Sequence, residues 1–222
     1  MKNYPGNKGG QGIREFLVNY IPKSNRYFSL FYGGGGFENC KYMKTISWTC
    51  ADINPDNTKY ETDTAVITFS DYRYLIAKIN FTQDDFVFAD PPYLFSTRLS
   101  GKKIYKYEFT KPQHIEFLNY ISSLNSKILI THPKNALYDR LLPNFNCIEF
   151  EYMTHGGWFK DAIYFNYSTA DIELVNYATL GENFTERQQI KRKRKSMINK
   201  IEKLPILQQK ALIAELKKRK IV

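Results

Sequence analysis

The chain has 222 residues, 32 Lys/Arg against 22 Asp/Glu for a net charge of +10, and 43% hydrophobic residues, enough to bury a substantial core. No apolar run approaches membrane-spanning length and the N-terminus lacks a signal-peptide apolar segment, which argues against a membrane-embedded or secreted chain. Its three cysteines, Cys40, Cys50 and Cys147, are odd in number and have no metal or redox spacing, so a disulfide framework and a metal centre are not expected, and reduced thiols in the cytoplasm are.

The apolar periodicity predicts a helix over 10–21 and then a buried strand over 27–32, Tyr27-Phe28-Ser29-Leu30-Phe31-Tyr32, which runs into Gly33-Gly34-Gly35-Gly36. A glycine turn at a strand end lets a ligand approach the backbone closely. A helix over 36–44 follows, then a strand over 46–51 that ends in Asp52, about 20 residues beyond the glycines. There an acid in a Rossmann-like sheet binds ribose hydroxyls. Glycines at one strand end and an acid at the next describe a nucleoside site. A strand over 65–69 and a helix over 72–79 lead to Phe86-Val87-Phe88-Ala89, an apolar strand closed by Asp90-Pro91-Pro92-Tyr93.

That tetrapeptide carries chemistry. The lone pair of an adenine or cytosine amino nitrogen is delocalised into the ring, and a carboxylate with a neighbouring carbonyl can accept its hydrogens and make the nitrogen more nucleophilic. Pro91 and Pro92 fix φ at two positions and remove two donors, so the carbonyls sit on a rigid turn. Tyr93 offers a face on which an extruded base can stack. The plainer alternative is a strand ending in a proline-rich turn with a buried tyrosine.

Between Leu94 and Thr110, Arg98, Lys102, Lys103 and Lys106 interleave with Phe95, Tyr105, Tyr107 and Phe109, a mixture suited to phosphate contact and base stacking. Gly101 makes the segment a candidate lid; the other reading is a loop whose aromatics fold back onto the core. Helices over 112–124 and 135–142 flank a strand over 127–132, and strands over 147–153 and 162–167 form an antiparallel hairpin at a sheet edge. His114, His132 and His155 are scattered and read as surface or loop residues.

Residues 185–222 hold 13 Lys/Arg and 3 Asp/Glu, so the whole excess of positive charge lies in this tail and residues 1–184 are neutral. Thr185 with Gln188 resembles a capping box, and Pro205 suits the first turn of a second helix, so a basic helical hairpin is expected. Lys191-Arg192-Lys193-Arg194-Lys195 would neutralise phosphates with salt-sensitive affinity; a solvated helix face or a localisation-like cluster is the alternative.

In series these motifs resemble the Dam-like DNA adenine N6-methyltransferases, over about residues 4–170. Tyr4-Pro5-Gly6-Asn7-Lys8-Gly9-Gly10 is similar to that family's N-terminal segment with its cofactor lysine. Phe31-Tyr32-Gly33-Gly34-Gly35 matches its glycine turn, Ala51-Asp52-Ile53-Asn54 its ribose-binding acid, and Asp71-Tyr72 its acidic-aromatic pair near the cofactor adenine. Asp90-Pro91-Pro92-Tyr93 matches the catalytic motif and Tyr164-Phe165-Asn166-Tyr167 a late strand. The resemblance implies a Rossmann-like α/β methyltransferase with a mainly parallel seven-stranded sheet over 1–180, while the charge and helical pattern of the tail point to a basic helical nucleic-acid-binding extension over 181–222. It implies S-adenosylmethionine as cofactor, held by Tyr4, Lys8, Phe31, Gly33, Gly35, Asp52, Ile53, Asp71, Tyr72 and Asp90, no metal, and a cytoplasmic setting in a bacterium or phage-infected cell. DNA is the expected partner, with RNA adenine or cytosine N4 as alternative acceptors, and a non-catalytic nucleic-acid-binding subunit as a reading of another class. The oligomeric state is not legible. The chain departs from the family in having Ser29-Leu30 where an acid and a proline usually stand. Only residues 73–89 separate Tyr72 from Asp90, where the family carries its recognition insertion, and no separate recognition domain fits there.

Overall fold

The computed structural model describes residues 8, 12–98, 101–154, 157–172, 180–181, 183–219 and 221. The chain divides into two compact units, Met1–Thr179 and Leu180–Val222. Among the described residues of the first unit, seven strands form one sheet: β1 (Arg26–Ser29), β2 (Trp48–Asp52), β3 (Ala65–Phe69), β4 (Asp85–Ala89), β5 (Lys127–Thr131), β6 (Asn146–Thr154) and β7 (Gly157–Phe165). Their order is β3-β2-β1-β4-β5-β7-β6, with the first five parallel and β7 antiparallel to both neighbours. This is a Rossmann-like sheet, and it reverses its winding between β1 and β4, where open α/β sheets bind ligands at the carboxyl ends of their strands.

β4 shows why such strands read as unbroken apolar runs. All five of its residues are buried, because Val87 and Ala89 face one core and Phe86 and Phe88 the other. The first core packs helices α2 (Tyr72–Lys78), α3 (Lys111–Ser122) and α4 (Ala136–Leu141) against the sheet; the second is closed by α1 (Ile13–Leu17) and by the chain around Phe37 and Met43. Asp71 and Asn135 cap α2 and α4 through their side chains, and α3 begins with a reciprocal Thr110–Gln113 box. At the amino end of β4, Arg26 forks onto Asp85 at 2.7 and 2.8 Å and ties β1 to its neighbour.

Two expected helices differ. Within the 10–21 span α1 covers Ile13–Leu17 and gives way to a tighter 3-10 turn over Val18–Tyr20. The stretch 36–44 is not a helix. Its backbone closes successive three-residue turns, Cys40 N–H to Phe37 O, Met43 N–H to Cys40 O and Ile46 N–H to Met43 O. Phe37, Cys40 and Met43, three residues apart, are the buried apolar side chains, and a spacing of three fits this tighter winding better than 3.6.

The second unit contains α5 (Phe184–Glu202) and α6 (Ile206–Lys218). The cap of α5 is Asn183, whose side chain accepts from Glu186 N–H, rather than Thr185, which lies inside the first turn. An amide oxygen at this position outcompetes a threonine already committed to helical backbone. Pro205 is the cap of α6, one residue before its first turn.

Candidate active site

At the carboxyl end of β4 the chain enters Asp90-Pro91-Pro92-Tyr93 between the glycine turn after β1 and the end of β5. Thr131, the last residue of β5, donates its hydroxyl to Asp90 Oδ1 at 2.6 Å, and Lys8 Nζ lies 3.3 Å from the same oxygen. Lys8 is 5% exposed and also donates to Asp161 Oδ2 at 3.1 Å. Tyr93 Oη joins this cluster, hydrogen-bonded to both Lys8 and Asp161. Burial alone would push the Lys8 ammonium down, yet Asp161 and Asp90 outweigh it and hold it firmly charged. For Asp90 burial wins: Lys8 and Thr131 oppose it, and the carboxyl is still pushed up to about 6. Asp161, 1% exposed and on β7, was not singled out in the sequence.

The backbone after the turn is held from inside. Leu94 N–H donates to His132 Nε2 at 2.9 Å, and His132 stacks on Tyr138 with ring centroids 4.0 Å apart. His114 Nδ1 meets Tyr138 Oη at 2.9 Å. Both histidines are wholly buried and pushed down to about 3, chiefly by burial, so they are neutral supports rather than the surface or loop residues expected. His114 was legible in one respect, since it shares the helical spacing of Phe117, Leu118 and Ile121. His155 lies outside the described residues.

A cavity of about 330 Å³ runs along the carboxyl ends of β1, β2 and β4. It brings together Lys8, Phe31, Gly33, Asp52, Ile53, Asp71, Tyr72, Asp90 and Pro92 of the expected residues; Tyr4 lies outside the described ones. Asp52 ends β2 and spans the gap: Oδ2 accepts Gly33 N–H at 2.7 Å and Oδ1 accepts Asn54 N–H at 2.8 Å. Burial raises its pKa against those bonds. Gly35 is not on the wall. It has φ +61°, and any Cβ there would collide with the Tyr32 ring, so it shapes the turn from behind. Asp71 is engaged as the α2 cap and by Arg73 at 2.9 Å, while Tyr72 packs with Phe31, centroids 5.2 Å apart.

Glu38, also missed, lines the cavity at 2% exposure. It accepts a 2.6 Å bond from the Ser29 hydroxyl, and burial pushes it up to about 7. Ser29 is one of the two positions where the chain departs from the pattern of the family it resembles, and here its hydroxyl holds Glu38 on the cavity wall.

Segment 101–109 folds over the cavity, to which Ile104, Tyr105, Lys106, Tyr107, Glu108 and Phe109 contribute. Arg98, expected to meet phosphate, has a side chain only 3% exposed; it donates to Tyr93 O at 2.8 Å and pairs with Glu108, clamping this segment to the catalytic turn. Lys106 reaches Asp56 at 3.0 Å and Asn54 Oδ1 at 3.4 Å, bridging the segment to the loop after β2. Lys102 and Lys103 are exposed. In the second unit Lys191, Arg192, Lys193, Arg194 and Lys195 lie mid-way along α5.

The cavity suits a cationic nucleoside. Carboxylates from Glu38, Asp52 and Asp90 line it with few cations, its volume lies at the lower end of ligand pockets, and Phe31 and Tyr72 give one end an aromatic wall.

A model of the D12 class N6 adenine-specific DNA methyltransferase family matches residues 57–155, a stretch that includes the catalytic turn and agrees with a Dam-like adenine methyltransferase. A search of curated proteins finds no match. Solved structures similar to the chain include a precorrin-8W decarboxylase from Methanobacterium thermoautotrophicum, 14% identical over 76% of this chain and 96% of that one, TM-score 0.49. Another is magnesium protoporphyrin IX methyltransferase from Synechocystis with bound S-adenosylmethionine, 11% identical over 71% of this chain and 78% of that one, TM-score 0.46. Sheet order, cavity and family match together describe a Rossmann-like methyltransferase whose cofactor is S-adenosylmethionine.

Proposed function

We propose that this S-adenosylmethionine-dependent methyltransferase acts on the exocyclic N6 of an adenine extruded from DNA. The observation that carries the reading is a half-buried carboxylate, Asp90, at the junction of the cofactor cavity and a rigid Pro-Pro-Tyr turn. The family match over residues 57–155 supports adenine as the base and DNA as the polymer.

When bound, the cofactor supplies an electrophilic methyl group on a sulfonium. Asp52 would hold the ribose hydroxyls, Tyr72 and Ile53 would pack the adenine, and Lys8 and Glu38 would meet the charged ends of the methionine moiety. Asp90 and the Pro91 carbonyl would accept the two hydrogens of the target amino group, drawing its lone pair out of conjugation. As the nitrogen gains methyl it sheds one proton, which Asp90 would take and pass to solvent. Tyr93 would bound the base pocket, its hydroxyl fixed by Asp161 and Lys8. Apart from this proton transfer, catalysis rests on positioning and on the exclusion of water by segment 101–109.

The test is transfer of labelled methyl from S-adenosylmethionine to matched DNA and RNA, with nucleoside analysis of the product. N6-methyladenine in DNA, abolished in Asp90→Ala while cofactor binding persists, is the expected result. Label in RNA alone, or as N4-methylcytosine, would replace the acceptor; normal turnover in Asp90→Ala would refute the site.

A further inference from the structure

β6 and β7 pair along nine residues, from Asn146↔Phe165 to Thr154↔Gly157, but β5 pairs only with residues 163–165 of β7. The last backbone bond from the β5 side is His132 N–H to Ala162 O. Residues 157–161 and their partners 150–154 therefore extend past the sheet as a two-stranded arm, roughly 16 Å long at ~3.3 Å per residue. Because β7 runs antiparallel to β5, this arm rises at the end of the sheet where Asp90 lies. Its root is fastened to the site by Asp161, bonded to Lys8 and Tyr93, and to the core by Phe150, stacked on Phe16 at 4.2 Å.

Strand alternation sorts the arm's side chains. Phe159 lies on the face of Asp161, opposite Tyr152, and the two rings stack at 6.1 Å and 20°. Trp158 points to the other face and is 53% exposed. A ribbon without a third strand is marginal by itself, and an exposed tryptophan beside a half-buried aromatic pair on it signals a partner. Two features of the molecule say which. The root of the arm is hydrogen-bonded to Tyr93 of the Pro-Pro-Tyr turn through Asp161. And the stretch from Tyr72 to Asp90 holds only α2 and β4, leaving no recognition element before the turn.

We propose that the β6–β7 arm is a nucleic-acid-contacting element. Tyr152 and Phe159 receive the nucleotides beside the extruded base, and Trp158 stacks on those beyond. The proposal rests on the reading of the site as acting on nucleic acid, and its test separates the two.

The sequence has two tryptophans, and Trp48 is buried at 2% exposure, so Trp158 is the fluorophore a bound strand can reach. Titrating the full-length protein with oligonucleotide in the presence of S-adenosylhomocysteine should quench its tryptophan fluorescence, and Trp158→Phe should lose the response. Trp158→Ala and the milder Phe159→Leu should raise KM for DNA about tenfold with the cofactor Kd unchanged. DNA methylation without quenching, with both KM values within about twofold of wild type, would overturn the arm and leave the function standing. Quenching without methylation of any nucleic acid would keep the arm and overturn the reaction; neither signal would overturn both.

Discussion

In the proposed reaction Asp90 would work only when ionised, since a protonated carboxyl cannot serve as acceptor and base for the target amino group. With its pKa at about 6, turnover should rise with pH through that value and then level off. Lys8 Nζ, 3.3 Å away, is one of the groups holding the pKa down, so Lys8→Met should move this limb to higher pH at saturating cofactor. A pH–rate profile of both proteins checks it; coincident limbs would mean that Asp90 is not the titrating group. Glu38 gives the opposite lesson. Its carboxyl is pushed up to about 7, so the folded protein binds the proton more tightly than the unfolded chain does. Stability is then lost as pH rises from the ordinary glutamate range through 7. Glu38→Gln should stabilise the cofactor-free protein at pH 8 by up to about 3 kcal/mol and leave it nearly unchanged at pH 4, while weakening cofactor binding. Urea denaturation at the two pH values, with calorimetry for the cofactor, measures both.

At the scale of elements, the turn after β1 depends on left-handed backbone at Gly33 and Gly35. Gly35 sits at φ +61°, and Tyr32, whose ring fills the space behind it, donates to Tyr60 O at 2.7 Å and accepts from Asn39 at 2.6 Å. Gly35→Ala must strain the backbone and displace this ring, and should destabilise the protein by about 1–3 kcal/mol and weaken cofactor binding. Gly101 also has positive φ but open space around it, so Gly101→Ala should cost only the backbone part; thermal denaturation of the two variants separates the effects.

For the whole molecule, charge is segregated: residues 1–184 are neutral and the second unit carries the excess. Five consecutive basic residues on a helix point in every direction, so Lys191–Lys195 cannot all meet one strand of phosphates. Arg187, Lys191, Arg194 and Lys195 share one side of α5 by their spacing. If this unit holds DNA, changing residues 191–195 to glutamine should reduce the slope of log affinity against log salt by roughly 2–3 rather than by the full five charges. An unchanged slope would remove the unit from the interface.

What the sequence determined by itself is local. Apolar or alternating runs of four to seven residues between helical periods predicted all seven strands, and glycines, Asp52 and the Asp-Pro-Pro-Tyr turn marked strand ends, because pleat, turn and cap chemistry act over a few residues. The 36–44 stretch escaped since a short apolar pattern cannot distinguish a spacing of three from 3.6. Tertiary structure alone decided how charges and imidazoles are used. Lys8 meets Asp161 across 153 residues, and Arg98 turns inward to Glu108. His114 and His132 lie beneath the catalytic turn, and the β6–β7 arm rises beside Asp90 only because β7 runs against β5. Burial and long-range pairing set these roles, and neither is written in the residues next to them.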